Sequence, residues 1–567
     1  MKLKIYMENM SFLAIILLLQ ALVCVTSAEI IVKIPNGELM GRKEYSLRGI
    51  SFYAFQQIPF AKPPIGNLRF ADPQPAEKWE GVLDATKNDR MCYQQSDLFH
   101  VNLTALQNED CLYLNVYTPR DPTTNAALPV MFYIYGGGFV NGAANFDFFG
   151  PHYLMENDVI VVTTNYRVGP FGFLSTGDET ITGNFGLKDQ KLALEWVRDN
   201  IKYFGGDPEK VTIFGQSAGA ASVAYLLMNP ELNGLFRAAI AQSGSSLCPW
   251  SYQREYRNMA YNLAKGIDSS FSNESSSQEL LDFLRSKDAN NINTVAASFK
   301  QTYGNEQIIQ GFWFTPVIEP NHENAFITEN QYSALESGHM NRVPLMIGIT
   351  SEEAIARAAA SNFISTVHSY ENDITRLVNK NMHLTDPAIK KEAGEEIRRI
   401  YTDGLLQDNP GKAVNYFSDM EFTRSVITHA KLQAQFSDVY FYQFSYHGAM
   451  GGNRPNIEGA YKVGHSEDSH YLWAVANHTY LNNYSALDVA TSDRYRLLFT
   501  NFAKYLNPTP EAVPLLNNII WPKVKADEFV YLDINETLTL QSNPKVQTYE
   551  NWVALYEKYA VKPYDTF

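Results

Sequence analysis

Two hydrophobic patterns alternate along the middle of the chain. Short continuous apolar runs, typical of buried strands, occur in PVMFYIY (130–135 at its core), DVIVVTTNY (158–166) and KVTIF. Apolar residues at helical spacing mark the stretches between and after them, KDQKLALEWVRDNIKYF and AASVAYLLMN. Fully apolar strands separated by helices are typical of a parallel sheet that is covered on both faces. The pattern therefore predicts an α/β fold with a largely parallel central sheet.

Further strand-like runs extend this pattern in both directions. CLYLNVY precedes the central run, and LFRAAIAQSG, VPLMIGIT and VYFYQFSY follow it. Two stretches, about 255–335 and 355–435, are helical and richer in charge, and strand-like segments resume after each. We therefore expect helical caps inserted over the sheet and predict a single domain from residue 29 to residue 567.

The N-terminus has the pattern of a secretory signal peptide. Lys2 and Lys4 supply the positive start, and an almost unbroken apolar run follows from Phe12 to Val25. The small residues before position 29 permit cleavage after Ala28. A retained signal anchor is the alternative, but the apolar run is shorter than the ~20 residues of a membrane span. We expect removal of residues 1–28, no membrane span and release to the extracellular space.

The composition and charge of the chain indicate which classes of molecule it can bind. The 567 residues are 45% hydrophobic, enough for a large core, and the net charge is -15 with a pI near 5.3. A nucleic-acid-binding protein needs a basic patch to neutralise phosphates. The chain has no basic stretch, so nucleic acid is not expected as a partner.

Sequons and cysteines agree with export. Five Asn-X-Ser/Thr sequons are candidates for glycosylation: Asn102, Asn273, Asn477, Asn483 and Asn535. Cys24 would leave with the signal peptide, and Cys92 and Cys111 are placed to close a disulfide loop that contributes about 3 kcal/mol. Cys248 would then be an unpaired thiol. Three free buried thiols are the alternative, which suits an oxidising compartment less well.

The segment VTIFGQSAGAAS (211–222) carries the first candidate for chemistry. A buried strand ends just before Ser217, and an alanine-rich helix follows. Gly215 and Gly219 flank the serine at two residues on each side, where larger side chains would collide with the adjacent strand and helix. This is the G-x-S-x-G nucleophile elbow, which exposes a serine at the carboxyl end of a strand. An ordinary tight turn is the alternative interpretation.

A nucleophilic serine needs a base, a group that orients the base, and donors for the oxyanion. The glycine run in YIYGGGFVNG and the backbone N–H of Ala218 are candidate donors. Glu353, after the strand VPLMIGIT, is the candidate acid, with Glu352 as the adjacent alternative. His447 and His465 both follow the strand VYFYQFSY, and the residues alone do not choose between them as the base.

At this point the chain resembles the type-B carboxylesterase/cholinesterase family from about residue 30 to 550. The resemblance rests on IPFAKPPIGNLRF, EDCLYLNVYTP, YGGGF, NYRVGPFGFL, GNFGLKDQKLALEWV, FGGDPEKVTIFGQSAGA, QSGS, GITSEEA and NFAKYLNPTP. It implies an α/β-hydrolase fold and the disulfide Cys92–Cys111. It also implies a set of site residues: Ser217 as nucleophile, Glu353 as acid, His465 as base, and Gly137, Gly138 and Ala218 as oxyanion donors.

The chain departs from the family pattern around the site. Ala354, Lys462 and Ser466 stand where the family usually has glycine, which puts the local loop geometry in question. Cholinesterases hold a quaternary ammonium on a tryptophan in the first disulfide loop, and the 92–111 loop contains none. They also carry a glutamate at the position of Gln216. The GQSAG sequence around Ser217 resembles that of insect juvenile hormone esterases. Lys462 departs from the G-x-x-H pattern found in those enzymes.

The resemblance implies a secreted serine carboxylesterase that acts on small neutral, hydrophobic esters through an acyl-enzyme. Juvenile hormone-like, odorant or xenobiotic esters are the expected substrates, and no metal or other cofactor is expected. A lipase is the alternative within the enzymes. A neuroligin-like adhesion protein is the alternative outside them, although it is expected to lack the serine or to carry a membrane span.

Overall fold

The fold is built on one β-sheet. The computed structural model describes residues 30–94, 104–303, 312–452, 455–474, 481–525 and 527–567. The predicted signal peptide and the sequons at Asn102 and Asn477 lie outside these residues. The strands are β1 Ile30–Ile34, β2 Gly37–Tyr45, β3 Ser51–Pro59, β4 Val82–Asp84, β5 Tyr113–Thr118, β6 Leu128–Ile134, β7 Ile160–Thr164, β8 Gly206–Gln216, β9 Ala238–Gln242, β10 Leu345–Thr350, β11 Val439–Phe444, β12 Val530–Ile534 and β13 Leu538–Ser542.

The sheet is parallel at its centre and antiparallel at its two edges. Its order is β1-β2-β3-β5-β7-β6-β8-β9-β10-β11-β12-β13, with β4 paired to β2. Every neighbouring pair from β7 to β12 is parallel. Parallel strands end at the same edge, so the segments that follow β6, β8, β10 and β11 converge there. The largely parallel sheet predicted from the sequence is confirmed.

Helices cover both faces of the sheet and form the predicted charged excursions. Their bounds are α1 Gly169–Phe173, α2 Phe185–Asn200, α3 Ala218–Met228, α4 Tyr256–Ile267, α5 Ser277–Arg285, α6 Ala289–Tyr303, α7 Gln331–Ser337, α8 Phe363–Asn372, α9 Pro387–Tyr401, α10 Pro410–Ser418, α11 Arg424–Gln433, α12 Ala486–Tyr505 and α13 Val546–Tyr559. A π-helical turn, Asp419–Thr423, joins α10 to α11. Side chains cap several helices, such as Ser276 with Glu279 at the start of α5.

The core is continuous across the sheet. One cluster of buried hydrophobic side chains extends from Val32 to Phe567. Strands β7, β9, β10 and β11 are buried along their whole length, as their unbroken apolar runs predict. Among the described residues, no helix is both long and apolar enough to cross a membrane.

The cysteines are arranged as the resemblance implies. Cys92 and Cys111 form a disulfide with Cα atoms 5.0 Å apart, and Cys248 is free and buried. Burial raises the pKa of the Cys248 thiol to about 12, so this thiol stays protonated at neutral pH. Of the sequons that the structure describes, Asn273 and Asn483 are exposed and Asn535 is half-buried.

Candidate active site

Ser217 occupies a sharp turn between a strand and a helix. Strand β8 ends at Gln216 and helix α3 begins at Ala218, so Ser217 is the single residue between them. Its φ of 59° and ψ of -123° lie in a region that residues with a side chain rarely adopt. Such strain costs on the order of 1–3 kcal/mol and is concentrated at functional sites. The backbone N–H of Ser217 donates to the carbonyl of Gln242 at 2.8 Å and holds the turn in place.

The two flanking glycines permit this turn. A Cβ on Gly215 would lie 2.5 Å from the carbonyl carbon of Gly219 and 2.8 Å from the carbonyl oxygen of Ile134. A Cβ on Gly219 would overlap the same Ile134 oxygen. The strand and helix therefore approach so closely that neither position accepts a side chain. The steric reason given for G-x-S-x-G is confirmed here.

Glu353 and His465 are in direct contact. Nδ1 of His465 lies 2.7 Å from Oε2 of Glu353, and the backbone N–H of His465 donates to the carbonyl of Glu353 at 3.0 Å. The other carboxyl oxygen, Oε1, accepts from the N–H of Thr350 at 2.8 Å. Glu353 is almost fully buried, whereas 22% of the His465 side chain is exposed. The carboxylate is fixed, and the imidazole keeps one open side.

The contacts of His465 define its neutral tautomer. A proton on Nδ1 is donated to Glu353, which leaves Nε2 as an acceptor. The side-chain nitrogen of Gln216 lies 3.2 Å from Nε2 and is placed to donate to it. Because Gln216 immediately precedes Ser217, the basic nitrogen faces the turn that carries the serine.

The alternative acid and base lie elsewhere. Glu352 is also buried, but its carboxylate accepts from Ser418, from Asn415 at 2.7 Å and from the N–H of Tyr461 at 3.0 Å. His447 is exposed at the surface beyond β11. The structure therefore brings Glu353 and His465 together and leaves the two alternatives outside this pair.

The glycine run after β6 passes next to Ser217. A Cβ on Gly136 would lie 2.9 Å from Cβ of Ser217, so the loop and the serine are in contact. Gly137 and Gly138 have φ angles of 110° and 63°, which glycine adopts readily. Ala218, as the first residue of α3, has a backbone N–H that the helix itself does not satisfy. The candidate oxyanion donors are thus grouped around the serine.

Two of the three departures from the family glycines are explained by backbone conformation and exposure. Ala354 has a φ of -92°, which any residue adopts, and Lys462 is exposed. Ser466 has a φ of 71° and a ψ of 0°, a left-handed conformation that favours glycine. The concern about loop geometry therefore applies at Ser466, where the serine costs roughly 1 kcal/mol relative to an unstrained residue.

An aromatic wall borders the imidazole. The Phe422 ring centroid lies 4.3 Å from that of His465 and 5.5 Å from that of Trp250. Phe312 lies 6.3 Å from Trp250, and a Cβ on Gly138 would approach the Phe312 ring to 2.7 Å. None of these three aromatic residues was predicted from the sequence, since separate segments supply them and only the tertiary fold brings them together.

Two further buried carboxyls lie near the base. Glu421 forms an ion pair with Arg357 at 2.7 Å, and Asp468 accepts from Gln242 at 2.9 Å and from Tyr495 at 2.7 Å. Burial raises the pKa of both carboxyls above their ordinary values, against the stabilising effect of these partners. The arrangement of serine, imidazole and buried carboxylate is suited to nucleophilic attack on a carbonyl carbon.

The chain is similar to one family along nearly its whole length. A profile of the carboxylesterase family matches residues 28–552. Juvenile hormone esterase of Tribolium castaneum is 34% identical over 519 residues, which cover 88% of this chain and 87% of the relative. Para-nitrobenzyl esterase of Bacillus subtilis (strain 168) is 32% identical over 525 residues, with coverage of 91% and 96%.

A solved structure shows the same architecture. Juvenile hormone esterase from Manduca sexta, with OTFP covalently attached, aligns with a TM-score of 0.82 at 27% identity. The alignment covers 93% of this chain and 100% of that one. The α/β-hydrolase fold expected from the sequence is confirmed.

Proposed function

Because the chain belongs to the carboxylesterase family and is a carboxylic ester hydrolase, we propose that it is a secreted enzyme that hydrolyses neutral, hydrophobic esters. Ser217, His465 and Glu353 form its catalytic triad. The contact of 2.7 Å between His465 Nδ1 and Glu353 Oε2, beside the strained turn at Ser217, is the observation that carries this proposal.

The first half of the reaction acylates the serine. Nε2 of His465 takes the hydroxyl proton as Oγ of Ser217 bonds to the ester carbonyl carbon. The oxyanion that forms accepts from the N–H groups of Gly137, Gly138 and Ala218. Glu353 stabilises the imidazolium. The C–O bond to the alcohol then breaks, and the proton on Nε2 passes to the departing oxygen, which leaves an acyl-serine.

The second half releases the acid. His465 removes a proton from water as the water oxygen attacks the acyl carbon, and the same donors hold the second oxyanion. The bond from the acyl carbon to Ser217 Oγ breaks, and the proton on Nε2 returns to the serine. One ester and one water thus give one alcohol and one carboxylic acid.

The surroundings of the triad favour uncharged substrates. Phe422 and Phe312 line the surroundings of the imidazole with apolar rings, with Trp250 buried behind them. Burial of each CH₂ group of a substrate contributes about 0.8 kcal/mol. Gln216 is neutral where cholinesterases carry a glutamate, and the 92–111 loop lacks a tryptophan. We therefore propose juvenile hormone-like, odorant or xenobiotic esters as substrates.

The route to the cell exterior is part of the proposal. Residues 1–28 are removed as a signal peptide, and residues 29–567 form one catalytic domain. The disulfide Cys92–Cys111 supports folding in an oxidising compartment, and the exposed sequons at Asn273 and Asn483 are accessible to glycosylation.

The direct test is a substrate profile of the purified, secreted chain. Short-chain aryl esters, a juvenile hormone and a triglyceride should be compared, with the Ser217→Ala variant as control. We expect hydrolysis of the first two and loss of at least a thousandfold in kcat in the variant. A Ser217→Ala variant that folds and keeps its turnover would contradict the mechanism. Preference for the triglyceride would favour a lipase.

A further inference from the structure

A π-helical turn forms the wall behind the imidazole. Residues Asp419–Thr423 insert this turn between two α-helices. π-Helical turns are rare in proteins. Those that occur are often at functional sites, because the extra residue redirects the side chains of that turn. Here Phe422 lies against the His465 ring, and the carbonyl of Glu421 accepts from Trp250 Nε1 at 2.8 Å.

The same turn places a carboxyl close to the base. The Glu421 side chain is 3% exposed and forms an ion pair with Arg357 at 2.7 Å. The guanidinium of Arg357 also lies over the ring of Phe417, 5.2 Å from its centroid. Arg357 belongs to the short turn Ile355–Ala359, two residues beyond Glu353 at its start. The ion pair therefore joins the segment that follows the acid to the turn that borders the base.

Several charges act on His465. Glu353 contacts Nδ1, and Glu421 and Asp468 are close enough for electrostatic interaction with the imidazole. Glu467, on the same loop, accepts from the N–H of Gly464 at 2.7 Å. A surplus of carboxylates favours the imidazolium, which is inactive as a base. Arg357 counters this effect at Glu421.

We propose that Arg357 is a positioning residue for the base and acts through Glu421. The ion pair holds Phe422 against the imidazole and offsets the charge of the Glu421 carboxylate, so that this carboxylate adds little to the stabilisation of the imidazolium by Glu353. This inference rests on the proposed function of His465. Without Arg357, the unpaired carboxylate would stabilise the imidazolium. Without Glu421, the unpaired guanidinium would destabilise it.

The test is the pH dependence of kcat/KM on a neutral ester. Arg357→Met should move the acid limb of the profile to higher pH by about one unit, and Glu421→Gln should move it to lower pH. The double variant should return the limb close to its original position. Arg398→Met is the matched control, because Arg398 pairs with Glu371 at 3.4 Å with side chains that are 24% and 5% exposed, away from the base.

Opposite shifts that cancel in the double variant would not arise from loss of packing alone. Shifts of the same sign, or a profile like that of Arg398→Met, would overturn the proposal. If Arg357→Met does not fold, two other variants test the proposal. Glu421→Gln should shift the acid limb to lower pH, and Arg357→Lys should leave it in place. Absence of esterase activity in the wild-type protein would contradict the proposed function instead. The wild-type assay shows this before any variant is compared.

Discussion

Nδ1 of His465 lies 2.7 Å from Oε2 of Glu353, although the two residues are 112 positions apart in the chain. A second hydrogen bond, from the N–H of His465 to the carbonyl of Glu353 at 3.0 Å, joins their backbones. His465 is therefore held both by its imidazole ring and by its main chain. Such double attachment fixes the direction of Nε2 before any substrate binds.

The first prediction separates the two candidate bases. His465→Ala should lower kcat at least a thousandfold, as much as Ser217→Ala, because base and nucleophile act as a unit and their effects do not add. His447→Ala should change kcat by less than about twofold, since His447 is exposed beyond β11. Steady-state kinetics on one aryl ester measures both. A larger loss in the His447 variant would transfer the role of base to that residue.

The parallel centre of the sheet was predictable for a physical reason. Strands β10 and β11 are buried on both faces, so their sequences are unbroken apolar runs. Strand β2 (GELMGRKEY) is largely half-buried, and its polar residues interrupt the apolar pattern that indicates a strand. Strand β13 is exposed over most of its length. These two antiparallel strands near the edges of the sheet were therefore not predicted from the sequence.

The site was predictable to a similar degree. The elbow and the glycine run have local sequence patterns, so Ser217 and the run YGGGF could be named from their neighbours. The choice of His465 over His447 came from family resemblance, because local sequence does not record a contact across 112 positions. Phe422 and the Arg357–Glu421 pair have no sequence signal, since a π-helical turn carries Phe422 and Glu421 and the separate turn Ile355–Ala359 carries Arg357.

The second prediction concerns the close approach at the elbow. Gly219→Ala should destabilise the fold by about 1–3 kcal/mol and lower activity at least tenfold, because the added Cβ overlaps the carbonyl oxygen of Ile134. Gly404→Ala is the control, as its nearest neighbour would lie at an ordinary 3.6 Å. Thermal unfolding and ester hydrolysis measure the two effects. Equal behaviour of the two variants would mean that the elbow accepts a side chain.

The third prediction is the discrimination against charged substrates. A cation–π contact at a desolvated site contributes about 2 kcal/mol, or roughly thirtyfold in binding. The 92–111 loop supplies no tryptophan for this contact. The enzyme should therefore prefer the uncharged carbon isostere of acetylcholine to acetylcholine by at least tenfold in kcat/KM. Equal efficiency would show that another aromatic residue, such as Phe422, holds the cation.

The fourth prediction links a buried histidine to acid sensitivity. His429 is buried between Ser245 at 2.7 Å and Gln433 at 2.9 Å, and burial lowers its pKa from 6.5 to about 4. Between these values the unfolded chain takes up a proton that the folded chain does not. The free energy of unfolding should therefore fall by up to ~3 kcal/mol as the pH decreases through this window.

His429→Gln should remove that part of the pH dependence, and the exposed His447→Gln should retain it. Urea unfolding of the three proteins at pH 7.5 and pH 4.5 gives the comparison. Other groups titrate in the same range, such as Asp419, whose pKa burial raises to about 6. The difference between wild type and variant isolates His429. An unchanged difference between the two pH values in His429→Gln would contradict the assignment.

The fifth prediction tests the nucleophile itself. A fluorophosphonate should react at Ser217, whose Oγ bonds to phosphorus as fluoride leaves, because an activated hydroxyl beside oxyanion donors attacks a phosphoryl centre as it attacks a carbonyl. Peptide mass spectrometry of the purified protein measures the position and the rate of this modification. We expect a single modified site at Ser217, and a rate that falls at least a hundredfold in both His465→Ala and Glu353→Gln. Modification of another serine, or an undiminished rate in those two variants, would contradict the triad.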